Sequence, residues 1–269
     1  MGQNPGLPNF EGEQPGDTYY FSPLTVLLFG IVDNATEDGI ERMDAYVWRE
    51  NDGERGANNI CSCLLKYFKM RGWLKKNYFE LSIVADNCGG QNKNRIVLRF
   101  LMWLVEVGYF PKIRLIFLVK GHTKNSCDRL FNLLKINYHR LNIYTYDQLV
   151  NVINKNEFIT AHKMKSSDMF DFLSWQDVFY RTPDGEFKRT HIFEISGETH
   201  GSTPTLLKKW DYDGSDMRTD SLLPTSRNKK CWHMPASERK IAIATMIDDL
   251  DEMTRPALKD IKAVELYTK

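Results

Sequence analysis

The stretch ADNCGGQNKN, residues 85–94, decides how this chain is read. It closes an apolar run, with Phe79, Leu81, Ile83 and Val84, that predicts a short buried strand over 79–85. Asp86 stands at the end of that strand, and Gly89, Gly90 and a row of amides follow. Val97, Leu101, Leu104 and Val105 then recur at helical spacing, so residues 94–107 read as an amphipathic helix that stops at Gly108. An ordinary strand-to-helix turn needs one glycine and one cap. This one carries more polar groups than a turn requires.

Working outward, residues 112–119 read as the next strand and 126–138 as the next helix. Upstream, 19–32 and 43–50 read as two strands joined by a turn over 33–39, and 57–73 as a helix with Ile60, Leu64, Tyr67 and Phe68 on one side. The first two strands are joined by a short connection and should be antiparallel. The later ones are joined through helices and should be parallel with right-handed crossovers. The fold class is therefore α/β, a mixed sheet with flanking helices. Residues 147–154 read as one more helix, 158–164 and 190–195 as strands, and PDG at 183–185 as a hairpin turn. Residues 1–18 and 211–230 read as loops, and Ser237 as the N-cap of a late helix. Two units follow: a core over 1–155 and a C-terminal α+β extension over 156–269.

Composition narrows the function. Of 269 residues, 36 are basic and 35 acidic, a net charge of +1, so nucleic-acid binding has to use local patches. Five cysteines without a CxxC pair read as free thiols of a reducing compartment, not as a zinc site. No run of 18 apolar residues and no secretory leader occur, so an intracellular chain without a membrane span is expected.

Parallel strands put their C-terminal ends on one edge of a sheet, where ligands of open α/β folds bind. Asp86 ends one such strand, and the next runs into KGHTKNSCDRLF, residues 120–131. Asp86, His122 and Asp128 are thus expected to meet. Alone, each has an ordinary role: a turn closure, a loop histidine, a carboxylate favoured in the first turn of a helix. Together, two carboxylates repel unless a proton or cation lies between them. Oxygen-only ligands suit Mg²⁺ or Mn²⁺. Asn87, Gln91, Asn92 and Lys93 precede a helix whose free N–H groups attract phosphate. With Lys120, Lys124 and Arg129 of the second segment, they are the candidate nucleic-acid contacts.

DNCGGQNKN at 86–94 and GHTKNSCDRLF at 121–131 resemble a domain of unknown function from eukaryotic, transposable-element-related proteins. QNPGLPNF at 3–10, YYFSPL at 19–24, FGIVD at 29–33, YVWRE at 46–50 and RGANNICSCLLKY at 55–67 extend the resemblance over about residues 3–145. That domain is held to be ribonuclease H-like, akin to DDE-type integrases and transposases. The resemblance implies metal-dependent cleavage or strand transfer on DNA or RNA, hence a nuclear location if DNA is the target. It also implies carboxylates on a first strand, a fourth strand and a late helix. Asp86 and Asp128 match the latter two as catalytic residues and metal ligands, with His122 beside them. The family pattern places the first strand and its aspartate just before MGQNPGLP, so both are expected to be missing, leaving the central edge of the 19–32 strand open. Glu50 and Glu54 are the nearby substitutes. The alternative function is a non-catalytic module that binds nucleic acid or protein and keeps the fold.

Overall fold

The computed structural model describes residues 4–34, 36, 38–75, 77–118, 126–173, 187, 190–197, 205–209, 217–220 and 262–268. Its centre is a mixed sheet. A long strand β2 (Leu24–Asp33) turns back into β3 (Arg42–Arg49), and the two pair antiparallel from Val26↔Arg49 to Asp33↔Arg42. Helix α1 (Ala57–Met70) leads to β4 (Leu81–Ala85), and α2 (Arg95–Glu106) leads to β5 (Lys112–Phe117), which lies parallel to β4. Helices α3 (Ser126–His139) and α4 (Tyr146–Asn154) precede β6 (Ile159–Lys163), an edge strand parallel to β3.

The remaining strands come from beyond residue 155 and join the same sheet. These are β7 (Ile192–Ser196), β8 (Thr205–Lys209), β9 (Met217–Asp220) and β10 (Lys262–Thr268), and the order is β6-β3-β2-β10-β4-β5-β7-β8-β9. A two-residue strand β1 (Gly6–Leu7) pairs with the start of β2.

Three sequence expectations are corrected here. The central edge of β2 is not open: β10 runs antiparallel to β2 and parallel to β4, closing the gap between them. The KAVELYT run at 262–268 has the β-branched and aromatic content of a strand. Residues 1–18 are not wholly loop. Gly6 and Leu7 pair with Thr25 and Leu24, Asn9 bridges Ile143, and 16–20 form a 3₁₀ turn, so β2 starts later than expected. Within the expected 211–230 loop, Met217–Asp220 is a strand. The expected hairpin turn at 183–185 and late helix after Ser237 lie outside the described residues.

The sequence of β2 reads as a continuous apolar run because both sheet faces are covered. Leu27, Phe29 and Ile31 belong to the core under α1 and α2; Val26, Leu28 and Val32 belong to the core under α3 and α4. The first core is aromatic: Trp73 stacks on Phe68 (6.0 Å between ring centroids) and meets Phe79 edge-on (5.3 Å). The second brings α3 onto β2 and β10. Gly30 makes that approach possible: a Cβ there would lie 2.6 Å from Met43 Sδ and 2.9 Å from Phe131 Cζ.

Candidate functional site

β3, β4, β5 and β10 point their C-terminal ends to one edge of the sheet, and antiparallel β2 begins there. Asp86 leaves β4 at this edge. Its carboxylate is partly buried and accepts hydrogen bonds from the Asn92 amide and the Cys88 backbone N–H. The polar row after the strand therefore builds a cradle for one side chain. Asn92 holds Asp86, while the N–H groups of Gln91 and Lys93 both donate to Cys88 O (3.2 and 2.9 Å). Asn94 caps α2 by accepting from Ile96 N–H at 2.8 Å.

Burial raises the Asp86 pKa above its ordinary value. The bonds from Asn92 and Cys88 oppose that rise, and the negative charge of Asp128 adds to it. The charge effect places Asp128, half-buried in the first turn of α3, within electrostatic reach of Asp86. The start of α3 is fixed by Cys127 Sγ, 3.8 Å from Gly30 O, and by Ser126 Oγ, which donates to Glu41 at 2.6 Å.

The expected nucleic-acid contacts divide. Gln91, Asn92 and Lys93 are 7%, 2% and 6% exposed, so their side chains are packed inside and not offered to a polymer. The physical reason is the cradle: Asn92 serves Asp86, Gln91 accepts from Cys88 Sγ at 3.6 Å, and the Lys93 ammonium lies over the Phe117 ring at 5.2 Å. Burial lowers the Lys93 pKa. Asn87 is half-buried, and Arg129 is exposed and paired with Glu41. Lys120, His122 and Lys124 lie outside the described residues. Glu50 is exposed, and its carboxylate accepts from Thr25 N–H at 3.2 Å; Glu54 is exposed too. Neither figures among the charges acting on Asp86.

Sequence reasoning missed β10. Its register sets Glu265 opposite Val32 on one side and Val84 on the other. Directly paired residues share a sheet face, and so do residues two apart on one strand. Glu265 thus occupies a register position on the face of Val84, two residues before Asp86. Among the described residues, no group of three or more His, Cys, Asp or Glu side chains is placed to hold a metal ion. None of the described helices is long and apolar enough to cross a membrane.

The chain belongs to the family described as "Domain of unknown function (DUF7869)", whose model matches residues 19–213. The match begins before β2 and runs past β8, across the boundary at 155 read from sequence. Neither the curated proteins nor the solved structures contain a match.

Proposed function

We propose that this domain is a ribonuclease H-like, transposase- or integrase-like module that binds Mg²⁺ or Mn²⁺ through Asp86 and Asp128 and acts on phosphodiester bonds of DNA or RNA. The observation that carries this reading is the half-buried Asp86 carboxylate, cradled by Asn92 and the Cys88 N–H at the C-terminal edge of the sheet, with the Asp128 charge from a separate element acting on it. A buried aspartate beside a second negative charge is costly, and such pairs are kept where a cation or a proton-transfer role offsets the repulsion.

The donor set fits a hard divalent ion in kind, since both groups offer oxygen only. Two carboxylates are few for such an ion. The central strand β10 fills the place that the resemblance gives to the first, carboxylate-bearing strand, and Glu265 is the acidic residue on it. When bound, the ion would stabilise charge on the attacking and leaving oxygens of the phosphodiester. The protein's own part is to hold Asp86 in one orientation through Asn92 and Cys88 N–H, and to keep Asp128 in place through the packing of α3 on Gly30.

The second reading is a binding module without catalysis. It is favoured by the lack of a complete three-ligand group among the described side chains. Incubation of labelled single- and double-stranded oligonucleotides with the protein and Mn²⁺ separates the two. Nicking that disappears in Asp86→Asn and Asp128→Asn supports the nuclease. Binding of the oligonucleotides without Mn²⁺-dependent cleavage would replace it with the module.

A further inference from the structure

The segment before β2 holds two aromatic rings out in water. Tyr20 is 86% exposed and Phe21 72%. The backbone beneath them is fixed. Thr18 Oγ1 donates to Pro15 O at 2.7 Å, Gln14 Nε2 to Thr18 O at 3.0 Å, and Phe21 N–H to Thr18 O at 3.2 Å. Two residues on, Pro23 rests against Gly6, where an added Cβ would lie 3.1 Å from its ring. A single exposed apolar residue is ordinary on a surface. Two adjacent rings displayed on a fixed backbone forgo the burial that would stabilise the fold, and they are offered to a partner at little cost in ordering.

The charge around these rings has one sign. The first 41 residues contain seven acidic residues and no lysine, arginine or histidine, in a chain whose net charge is +1. Glu11 and Glu13 are exposed, and neither forms an ion pair with a described residue. The Gln14 bond folds the Glu13 end of the segment onto the turn that carries the rings. Glu11 is held by its backbone, whose N–H donates to Asn142 Oδ1 at 3.0 Å. Beside it, Phe10 meets the exposed Tyr144 edge-on, with 5.9 Å between ring centroids.

We propose that the Tyr20–Phe21 turn, with the carboxylates of Glu11 and Glu13, is a docking surface for an arginine-rich segment of a partner protein. The complement of an aromatic face beside unpaired carboxylates is a cation. A guanidinium stacks on the ring and pairs with a carboxylate through its planar fork, which an ammonium cannot do. Carboxylates at the rim also steer a basic segment toward the rings. A nucleic-acid strand would stack its bases on the same rings, but its phosphates would meet like charge from Glu11 and Glu13, so the protein cation is favoured. This surface stands apart from the Asp86 site and does not depend on the metal reading.

The test titrates a labelled hexa-arginine peptide into the full chain and follows fluorescence anisotropy. Two double variants remove the two halves of the surface: Tyr20→Ala with Phe21→Ala, and Glu11→Gln with Glu13→Gln. All four side chains are exposed, so thermal melts should match the parent. Saturable binding by the parent, weakened about fivefold or more in each double variant, is expected. Glu157→Gln, an exposed acid before β6, should leave the affinity unchanged. Tyr20→Phe keeps both rings and should bind as the parent does. No saturable binding by the parent, unchanged affinity in the ring variant, or an equal loss in Glu157→Gln overturns the surface. A single-stranded oligonucleotide is titrated in parallel. If the ring variant loses the oligonucleotide and keeps hexa-arginine, nucleobases are the occupant and the proposal fails.

Discussion

Substituting Gly30 tests the contact that positions Asp128. Gly30 lies in the middle of β2, which is paired on both sides, so its backbone has little room to move. An alanine Cβ would approach Met43 Sδ to 2.6 Å and Phe131 Cζ and Cε2 to 2.9 and 3.0 Å. All three are closer than nonbonded carbon and sulfur atoms tolerate. The Met43 terminus can turn away, but the Phe131 ring is packed in the core beneath α3, so the helix itself has to shift. Overpacking of this kind costs about 1–3 kcal/mol. For a domain of this size that lowers Tm by roughly 2–12 °C. Thermal melts followed by circular dichroism measure it. Gly30→Ala combined with Phe131→Leu removes ring atoms from the clash, so the pair should be less destabilised than the sum of the two single changes. Mn²⁺ affinity should fall in Gly30→Ala along with Tm, because Asp128 sits in the α3 turn that moves. A Gly30→Ala protein that melts within about 1 °C of the parent would refute the packing of α3 on β2, and with it the placement of Asp128.

Two further predictions concern the frame. Glu194 on β7 faces Arg114 on β5 in register and bonds Lys112 at 2.7 Å and Arg114 at 3.4 Å. Burial by itself would raise its pKa, but the Lys112 bond and the Arg114 charge outweigh burial and lower it. A carboxyl with a depressed folded pKa stabilises above its unfolded value, about 4.3, and loses that contribution as pH falls through the folded one. Glu194→Gln should therefore lower Tm at pH 7 by a small amount, with a deficit that closes below about pH 4; a deficit independent of pH would show that the charge is not responsible. Thr145 caps α4 through a reciprocal box with Gln148, so Thr145→Ala should cost about 0.5–2 kcal/mol in urea unfolding, and no loss would contradict the cap.

What the sequence made legible was local. The elements from 24 to 163 follow from periodicity and caps, and α2 is capped by Asn94 and followed by Gly108 at φ +80° as its pattern requires. The expectation that Asp86 and Asp128 share one sheet edge rests on chirality and strand direction, which need no long-range information. Asn92, Gln91 and Lys93 misled because polar residues before a helix read as a surface. That an amide would turn inward to hold a carboxylate depends on burial, which spacing does not encode. β10 was illegible for a different reason. A seven-residue strand carries a composition signal, but its insertion between β2 and β4 pairs residues more than 170 positions apart, and nothing local specifies that neighbour.

The central claim, a divalent-ion site built on Asp86, is tested most directly by calorimetric titration of Mn²⁺ into the folded, metal-stripped protein and its Asp86→Asn and Asp128→Asn variants. Asparagine at 86 can still accept from Asn92 and Cys88 N–H, and it removes a charge that burial disfavours, so Asp86→Asn should remain folded. Saturable binding by the parent, lost in Asp86→Asn and weakened by about tenfold or more in Asp128→Asn, is the predicted result. Equal affinity in the parent and Asp86→Asn, or no saturable binding by the parent, would contradict it.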